Sequence, residues 1–413
     1  MTRHFVLAFL VAALSAMPSM RPAEAAAKLV LYKFTGGSDG GEPYGPLVAD
    51  SSRNLYGVAK SGGPADVGVV FEISPDDSGS WRETVLHAFA GSDGAYPSGG
   101  LLWDSQGDLF GTTFGGGPAG GGVAFELSPA HDGAWTFSQL HAFGSASASG
   151  GSEPNGSLVR DRAGNLFGTA LLGGSGICSN FPGPCGLVFQ LSPATSGAWR
   201  ETVLYSFAGV PDGEFPQAGV ILGTDGRLYG STSEGGTGRC GDGEGTIIGC
   251  GTVFVLQRQD SGWRKTDLYD FKYGEQNMPD APVVFGRGGA LYGTAGYDVF
   301  RLRRPAAGTR WKKQTIYKFT EGIAGTIPSG GATFDARGSL YFTTASSGLD
   351  GFSTASQLSR PNIHDSTWTQ TVLAHFGTGF RFNQPRGGLL VGADGTLYGA
   401  VAGQPGYIFA IAR

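Results

Sequence analysis

Four cysteines have the spacing in this sequence that most directly suggests chemistry. They occur as Cys178 and Cys185 in GICSNFPGPCGLVF, and as Cys240 and Cys250 in GRCGDGEGTIIGCGTVF. Two local disulfides, Cys178–Cys185 and Cys240–Cys250, are the simplest of three connectivities. A zinc site is the rival, but spacers of six and nine residues do not match zinc-finger spacing. We therefore expect two disulfides, and neither a metal centre nor another cofactor.

Seven regularly spaced prolines mark a second set of residues that could do chemistry. The residue after each proline is polar. The residues immediately before and after the proline both differ among the copies, whereas a role in packing would favour the same residue in each copy. From these positions we predict eight ligand-binding residues: Glu42, Tyr44, Tyr96, Glu153, Asn155, Gln217, Asp280 and Arg386. Aromatic rings can stack on sugar faces, and the other groups can hydrogen-bond hydroxyls or a carboxylate. A water-filled channel mouth without a ligand is the alternative.

The remaining motifs do not identify a catalytic site. No H-E-x-x-H occurs, and three histidines fall on outermost strands, where packing or exposed positions are typical. The segment GGSDG at residues 36–40 matches G-x-S-x-G, but it lies between two strands and not at a strand-to-helix turn. Asp39, Asp93 and Asp212 precede glycines in the manner of turn residues, with calcium binding as the alternative.

A seven-fold repeat must position these residues. Its signature is Leu-Tyr-Gly or a close variant, at spacings of 49 to 63 residues, beginning at Leu55, Leu109, Leu166, Leu228, Leu291, Leu340 and Leu397. Each copy holds a proline, a short apolar strand, the signature strand and a Val-Phe strand, and in the first six copies a strand running from Trp to Phe follows. Copy six departs from this pattern, with Phe342 at the glycine position and STASQLS where the Val-Phe strand is expected. Four short strands per repeat predict an all-β fold, a seven-bladed β-propeller of four-stranded antiparallel blades.

The strand that the seventh copy lacks is found near the start of the chain. The last copy ends in GYIFAIAR, one strand short, while AKLVLYKF at residues 27–34 aligns with the outermost strands ETVLHAF and ETVLYSF. We predict that residues 29–34 pair with residues 407–411 and close the ring, which leaves no sheet edge open. Residues 26–413 are thus predicted to form one propeller domain.

The repeat resembles that of a family of exported bacterial proteins. The pattern P-x-G-G-L-x-x-D-x-x-G-x-L-[YF]-G-T-T-x-G-G, followed by G-V-x-F-x-L-S-P and W-x-x-T-V-L-x-x-F, is similar to the Gloeobacter/Verrucomicrobia (GloVer) tandem repeat. The resemblance covers nearly all of residues 28–413. It implies an exported repeat protein, and it implies no particular activity.

Residues 1–25 have the features of a secretory signal peptide. Arg3 and His4 precede an apolar run at residues 5–17 that is too short to span a bilayer, and A-E-A at residues 23–25 fits a cleavage site. A retained membrane anchor is the alternative. We expect the mature chain to be secreted or periplasmic and to lack a membrane span, in an oxidising compartment that agrees with disulfides.

The net charge of the chain limits which classes of partner it can bind. A net charge of −5 argues against nucleic acid, which requires a basic face. We expect a monomeric, non-catalytic binding module for an extracellular polysaccharide or protein, because no catalytic constellation is visible. The alternative is an extracellular glycosidase or polysaccharide lyase with its site at the axial mouth. Paired carboxylates would serve hydrolysis, and a tyrosine base beside an arginine would serve β-elimination.

Overall fold

Seven antiparallel sheets form the blades of a β-propeller, so the predicted fold is confirmed. The computed structural model describes residues 28–131, 133–144, 150–179, 182–194, 197–241, 243, 245–275, 278–305, 310–319, 327–345, 352–361, 367–378 and 384–413. The predicted signal peptide at residues 1–25 lies outside the described residues. The described part of the chain contains no helix that is long and apolar enough to cross a membrane.

The strands of each blade run from the axis outward in chain order, except that the first strand of the chain is outermost in blade 7, and the innermost strand of blades 2, 6 and 7 is interrupted. The first strand is β1 (Lys28–Lys33). Blades 1 to 3 contain β2 (Pro43–Ala49), β3 (Leu55–Ala59), β4 (Val69–Pro75), β5 (Trp81–Ala88), β6 (Ala95–Pro97), β7 (Leu102–Trp103), β8 (Leu109–Gly115), β9 (Val123–Pro129), β10 (Trp135–Ala142), β11 (Gly151–Arg160), β12 (Leu166–Gly173), β13 (Leu187–Pro193) and β14 (Trp199–Ser206).

Blades 4 to 7 follow the same plan, with one 3₁₀ turn at Arg287–Gly289 among the described residues. Their strands are β15 (Ile221–Leu222), β16 (Leu228–Thr232), β17 (Thr252–Gln259), β18 (Gly262–Asp270), β19 (Val284–Phe285), β20 (Leu291–Ala295), β21 (Asp298–Arg303), β22 (Lys312–Lys318), β23 (Ile327–Pro328), β24 (Thr333–Phe334), β25 (Leu340–Ala345), β26 (Phe352–Ser359), β27 (Thr369–Thr378), β28 (Gln384–Pro385), β29 (Leu390–Val391), β30 (Leu397–Ala402) and β31 (Tyr407–Ile411).

The first strand completes the last blade, as the sequence predicts. β1 pairs antiparallel with β31, and the pairing places Lys28 opposite Ile411 and Lys33 opposite Tyr407. Blade 7 therefore has the order β1, β31, β30 and β28, from the rim to the axis. The backbone N–H of Phe34 also donates to the Gly406 carbonyl over 3.0 Å, which extends this contact by one residue.

The glycine of each Leu-Tyr-Gly signature makes room for a phenylalanine on the neighbouring strand. Gly57 pairs with Phe71 across β3 and β4, and five other blades repeat this arrangement. A Cβ added at any of these six glycines would lie 2.5 to 2.7 Å from the ring of its partner. Because carbon atoms in real contacts do not approach so closely, only glycine fits opposite the ring.

Blade 6 reverses this pair of sizes. Phe342 stands on β25 at the glycine position, and its partner on β26 is Ser356 in place of a phenylalanine. The Phe342 ring is fully buried and lies 5.3 Å from the ring of Phe319 on blade 5. The two departures of copy six from the repeat are therefore coupled: the large side chain has moved from the Val-Phe strand to the signature strand, and the small one has moved the other way.

A ring of phenylalanine pairs joins all seven blades. The outermost-strand phenylalanine of each blade packs against a buried phenylalanine of the next blade, with ring centroids 4.7 to 5.4 Å apart. The pair Phe34 and Phe71 joins blade 7 to blade 1 in the same way. Trp81 and Tyr398 repeat, at that closure, the Trp–aromatic contact that Trp135 and Tyr56 make between blades 1 and 2. The interface between blades 7 and 1 therefore has the same kinds of aromatic contact as the interfaces between the other neighbouring blades.

Candidate functional site

The seven residues that follow the repeat prolines meet at the axis. They line one cavity of about 300 Å³ and come one from each blade: Tyr44, Ser98, Asn155, Gln217, Asp280, Ser329 and Arg386. Between them the wall consists mostly of glycine, alanine and proline. Neighbouring inner strands approach to backbone contact there, since a Cβ at Gly99 would overlap the Gly156 carbonyl. The polar groups therefore project from a narrow, tightly packed ring.

This cavity brings together five of the eight predicted ligand-binding residues. Tyr44, Asn155, Gln217, Asp280 and Arg386 line it. The other three, which precede the prolines, are absent from its wall: Glu42, Tyr96 and Glu153. In a regular strand, residues two apart lie on one side, but the backbone departs from that alternation at Tyr96 and Glu153.

Four residues before the repeat prolines have left-handed backbone. Their φ values are 58° at Tyr96, 57° at Glu153, 53° at Phe215 and 61° at Met278. This conformation is strained in residues other than glycine, and the following proline disfavours it further. Each of the four backbone N–H groups donates to a carbonyl in the preceding blade, at Val67, Gly121, Cys185 and Cys250. These hydrogen bonds between blades stabilise the left-handed conformation. In that conformation the side chains no longer alternate between the two sides of the strand.

Asp280 and Arg386 are the two charged groups of the cavity wall. Among the described residues they form no ion pair within 4 Å. Burial raises the pKa of Asp280, and the Arg386 charge offsets only part of that rise. The Asp280 side chain remains accessible within the cavity, and Arg386 Nη2 donates to Gln384 Oε1 over 2.8 Å. Asp280, whose carboxyl group has a raised pKa, therefore lies near the Arg386 guanidinium, which Gln384 holds in place.

The uncharged wall residues are held by short hydrogen bonds. Ser329 Oγ donates to the Pro385 carbonyl over 2.7 Å, and Gln217 Nε2 donates to Ser233 Oγ over 3.2 Å. The Lys60 ammonium lies 5.4 Å from the centroid of the Tyr44 ring. These contacts restrict the side chains before a ligand arrives, which lowers the entropy lost on binding.

A second cavity of about 480 Å³ adjoins the first. It shares Asp280, Ser329 and Arg386 with the axial cavity and continues outward past Ile327 and Gln384. The two charged groups therefore face both spaces. This arrangement leaves room on one side of the axis for a ligand longer than the axial cavity alone.

The structure contains one of the two predicted disulfides. Cys240 and Cys250 are bonded, with Cα atoms 5.1 Å apart. The predicted bond between Cys178 and Cys185 is wrong for this structure, in which both are buried free thiols. Burial raises the pKa of Cys178 and raises that of Cys185 to about 11. A thiol with a raised pKa supplies little of the thiolate that disulfide formation requires.

The Asp-Gly turns anchor an aromatic side chain of the preceding strand. Asp39 accepts from Tyr32 over 2.9 Å, Asp212 accepts from Tyr205 over 2.9 Å, and Asp93 Oδ2 lies 2.9 Å from His87 Nε2. Each aspartate also accepts a backbone N–H of its own turn. The carboxylates are therefore engaged in turn and strand contacts, in agreement with the turn interpretation.

Seven blades around one polar axial cavity define the class: a seven-bladed propeller with a cavity of small-ligand size. The Gloeobacter/Verrucomicrobia repeat matches residues 17–248, more than half of the chain. The chain therefore belongs to the Gloeobacter/Verrucomicrobia repeat family, as its motifs suggested. Its sequence matches no curated protein.

Solved structures share the fold at low sequence identity. A candidate 6-phosphogluconolactonase from Bacteroides fragilis aligns with a TM-score of 0.50 and 14% identity, over 87% of this chain and 86% of the other. A second one, from Bacteroides uniformis, gives 0.52 and 12%, over 81% and 85%. The extracellular domain of a candidate one-component system from B. thetaiotaomicron gives 0.55 and 12%, over 95% of this chain and 42% of that one. At such identities the likeness concerns the fold alone.

Proposed function

We propose that the protein is an exported binding module that takes an acidic sugar in its axial cavity. The observation that carries this proposal is the convergence of seven post-proline residues, mostly different from one another, on one cavity. A propeller axis that served packing alone would have no need of both Asp280 and Arg386. The Cys240–Cys250 disulfide supports export, because such bonds persist in oxidising compartments.

The charges of the wall favour a ligand that carries a carboxylate. The Arg386 guanidinium can hold a carboxylate through two parallel hydrogen bonds. Asp280, Asn155 and Gln217 offer acceptors and donors that suit sugar hydroxyls, and the ring of Tyr44 offers an apolar face. A neutral sugar would leave the arginine without a partner from the ligand. A hexuronate, free or at the end of a chain, therefore fits these groups best.

The dimensions of the cavity favour a single sugar or a chain end. About 300 Å³ is at the lower end of the range for small-molecule sites. The adjoining cavity of about 480 Å³ gives a second sugar a place beside Asp280 and Arg386. A short acidic oligosaccharide could thus enter with its terminal residue at the axis.

An enzymatic role is the second candidate, and the wall of the axial cavity suits a polysaccharide lyase better than a glycosidase. Asp280 is the one carboxylate in the described wall of the axial cavity, so the paired acids of most glycosidases are not found there. Tyr44 and Arg386 both line the cavity, which is the pair that β-elimination from a uronate requires. A polysaccharide lyase is therefore the enzymatic alternative that this site favours.

A binding titration tests the proposal. The purified chain is titrated with glucuronate, galacturonate, their disaccharides and the matching neutral sugars, and the mixtures are analysed for unsaturated products and new reducing ends. We expect an acidic sugar to bind at least tenfold more tightly than its neutral counterpart. Arg386→Ala should abolish that preference, because the carboxylate loses its partner. Appearance of unsaturated products would favour the lyase alternative.

The matched control is Arg264→Ala, an exposed arginine on the outermost strand of blade 4. It removes the same charge far from the axis, so binding should be unchanged. Melting temperatures of both variants show whether the fold is retained. Equal affinity for acidic and neutral sugars, or equal losses in the two variants, would refute the axial assignment.

A further inference from the structure

Two thiols and a carboxylate converge beside blade 3, outside the axial cavity. Cys178, Cys185 and Glu214 are 7%, 0% and 0% exposed, and their Sγ and carboxylate oxygen atoms lie within 4.8 Å of one another. Within the described ranges this is the one group of three such side chains close enough to share a metal ion. Glu214 has hydrogen bonds there but no ion pair with a described residue, so a buried carboxylate lacks a neutralising cation.

The carboxylate of Glu214 is oriented by Ser179, the neighbour of Cys178. The backbone N–H of Ser179 donates to Glu214 Oε2 over 2.9 Å, and its hydroxyl donates to Oε1. Metal-binding carboxylates are commonly held by such outer hydrogen bonds, which fix their direction. In blades 1 to 3 the position of Glu214, two residues before the proline, holds only small residues: Gly41, Ala95 and Ser152. The acid in blade 4 is therefore a departure from the repeat.

We propose that Cys178, Cys185 and Glu214 bind a zinc ion, with water as the fourth ligand. Zinc favours tetrahedral sites with sulfur, nitrogen and oxygen ligands, at about 2.3 Å for thiolate and about 2.0 to 2.2 Å for carboxylate. Ligand atoms within 4.8 Å of one another can reach those distances with small side-chain rotations. Each thiol releases its proton to solvent as the ion binds. Two thiolates, one carboxylate and Zn²⁺ leave the site with a net charge of −1, the charge that Glu214 alone has beside neutral thiols, and the ion adds a cation in direct contact with that carboxylate.

Blade 4 provides the comparison that separates zinc from a disulfide. Cys250 occupies the loop position of Cys185, since both carbonyls accept the N–H of the left-handed residue before the next proline. In blade 4 the pair is oxidised, with Cys240 as partner. In blade 3 the thiols remain separate and Glu214 lies against them. A disulfide there would leave the carboxylate buried without a cation, and a metal would not.

The zinc would brace the face that carries the axial cavity. Glu214 is three residues before Gln217, and the N–H of the intervening Phe215 donates to the Cys185 carbonyl over 3.0 Å. The ion would thus join the long loop of blade 3 to the segment that leads blade 4 to the axis. This role is independent of any sugar, so its failure and the failure of the binding proposal are separate results.

Metal analysis of the full chain tests the site. The protein, purified without reductant or chelator, is loaded with zinc chloride, dialysed into metal-free buffer and analysed by mass spectrometry. We expect one zinc per chain, and cobalt(II) in its place should give the intense absorption of thiolate-to-cobalt charge transfer. Glu214→Gln and Cys178→Ser should each weaken zinc binding at least tenfold.

The control is the double variant Cys240→Ser and Cys250→Ser, which removes the other cysteine pair and should retain the zinc. Melting curves identify any variant that fails to fold, and in that case the cobalt spectrum of the unmodified chain decides. A Cys178–Cys185 disulfide in peptide maps of the zinc-loaded protein would overturn the proposal. So would the absence of bound zinc, or zinc retained equally by Glu214→Gln.

Discussion

At the scale of single residues, the glycine and phenylalanine positions explain one another. In six blades a phenylalanine ring fills the space that a missing Cβ leaves on the neighbouring strand, and blade 6 exchanges the two. Either arrangement supplies one ring at the junction with the preceding blade. The interface therefore requires the volume of the ring and not the strand from which it comes.

Exchanging the pair in blade 6 should restore the arrangement of the other blades. Phe342→Gly removes a fully buried ring and should lower the free energy of unfolding by about 3–5 kcal/mol. Ser356→Phe alone should also destabilise, because two rings then compete for one space. The double variant should lose at least about 2 kcal/mol less than the sum, as measured by urea unfolding. Strictly additive losses would contradict the volume exchange.

At the scale of elements, the residue two places after the Trp of an outermost strand contacts the preceding blade. In five blades the partners are complementary, by charge, hydrogen bond or stacking: Phe137 with His87, Glu201 with His141, Lys265 with Asp212, Lys313 with Glu275 and Gln370 with Tyr317. At the closing interface Glu83 faces Asp39, and its buried Oε1 has no described partner. That contact places two acids where blades 4 and 5 pair a lysine with an acid.

Glu83 should therefore make the closing interface sensitive to pH. Burial, and then the charge of Asp39, raise its pKa to about 7. The folded chain binds the proton more tightly than the unfolded one, so stability is present at low pH and is lost as the pH rises through 7. Glu83→Gln should raise stability by roughly 1 kcal/mol in alkaline buffer, with a smaller gain in acid.

Melting temperatures measured across that range, below and above neutrality, check the expectation. Asp77→Asn, at an exposed turn of blade 1, removes the same charge away from the interface and should leave the pH response unchanged. A gain for Glu83→Gln that does not depend on pH would show that the unpaired charge is not its cause.

At the scale of the whole molecule, the ring depends on β1. Phe34 is 1% exposed and Leu31 is 8% exposed, and both belong to the core between blades 7 and 1. Deleting residues 28–34 leaves the edge of β31 unpaired, and the melting temperature should fall by several degrees. Leu29→Ala, at a side chain that is 58% exposed on the same strand, is the control and should change it little. An unchanged melting temperature after the deletion would contradict closure by β1.

The sequence predicts the ring because each blade repeats one pattern, and the position after each proline follows from it. Hence Tyr44, Asn155, Gln217, Asp280 and Arg386 were identified correctly as neighbours. Tyr96 and Glu153, which precede their prolines, do not line the cavity, because their left-handed backbone is held by carbonyls of another blade. For the same reason the approach of Glu214 to the thiols was missed: it comes from the next blade. Its only sequence signal is an acid where the other copies have uncharged residues.

The pairing of β1 with β31 has a consequence for assembly. These strands are separated by nearly the whole chain, so the pairing is in effect a binding reaction between two ends, governed by their effective concentration. A second copy offers the same edge, with the same register and the same phenylalanine. During refolding at high protein concentration, exchange of β1 between two copies should therefore compete with closure within one chain. It should produce domain-swapped dimers in which the β1 of each copy pairs with the β31 of the other. Size-exclusion chromatography should detect them at high protein concentration, and refolding at high dilution should give only closed single rings.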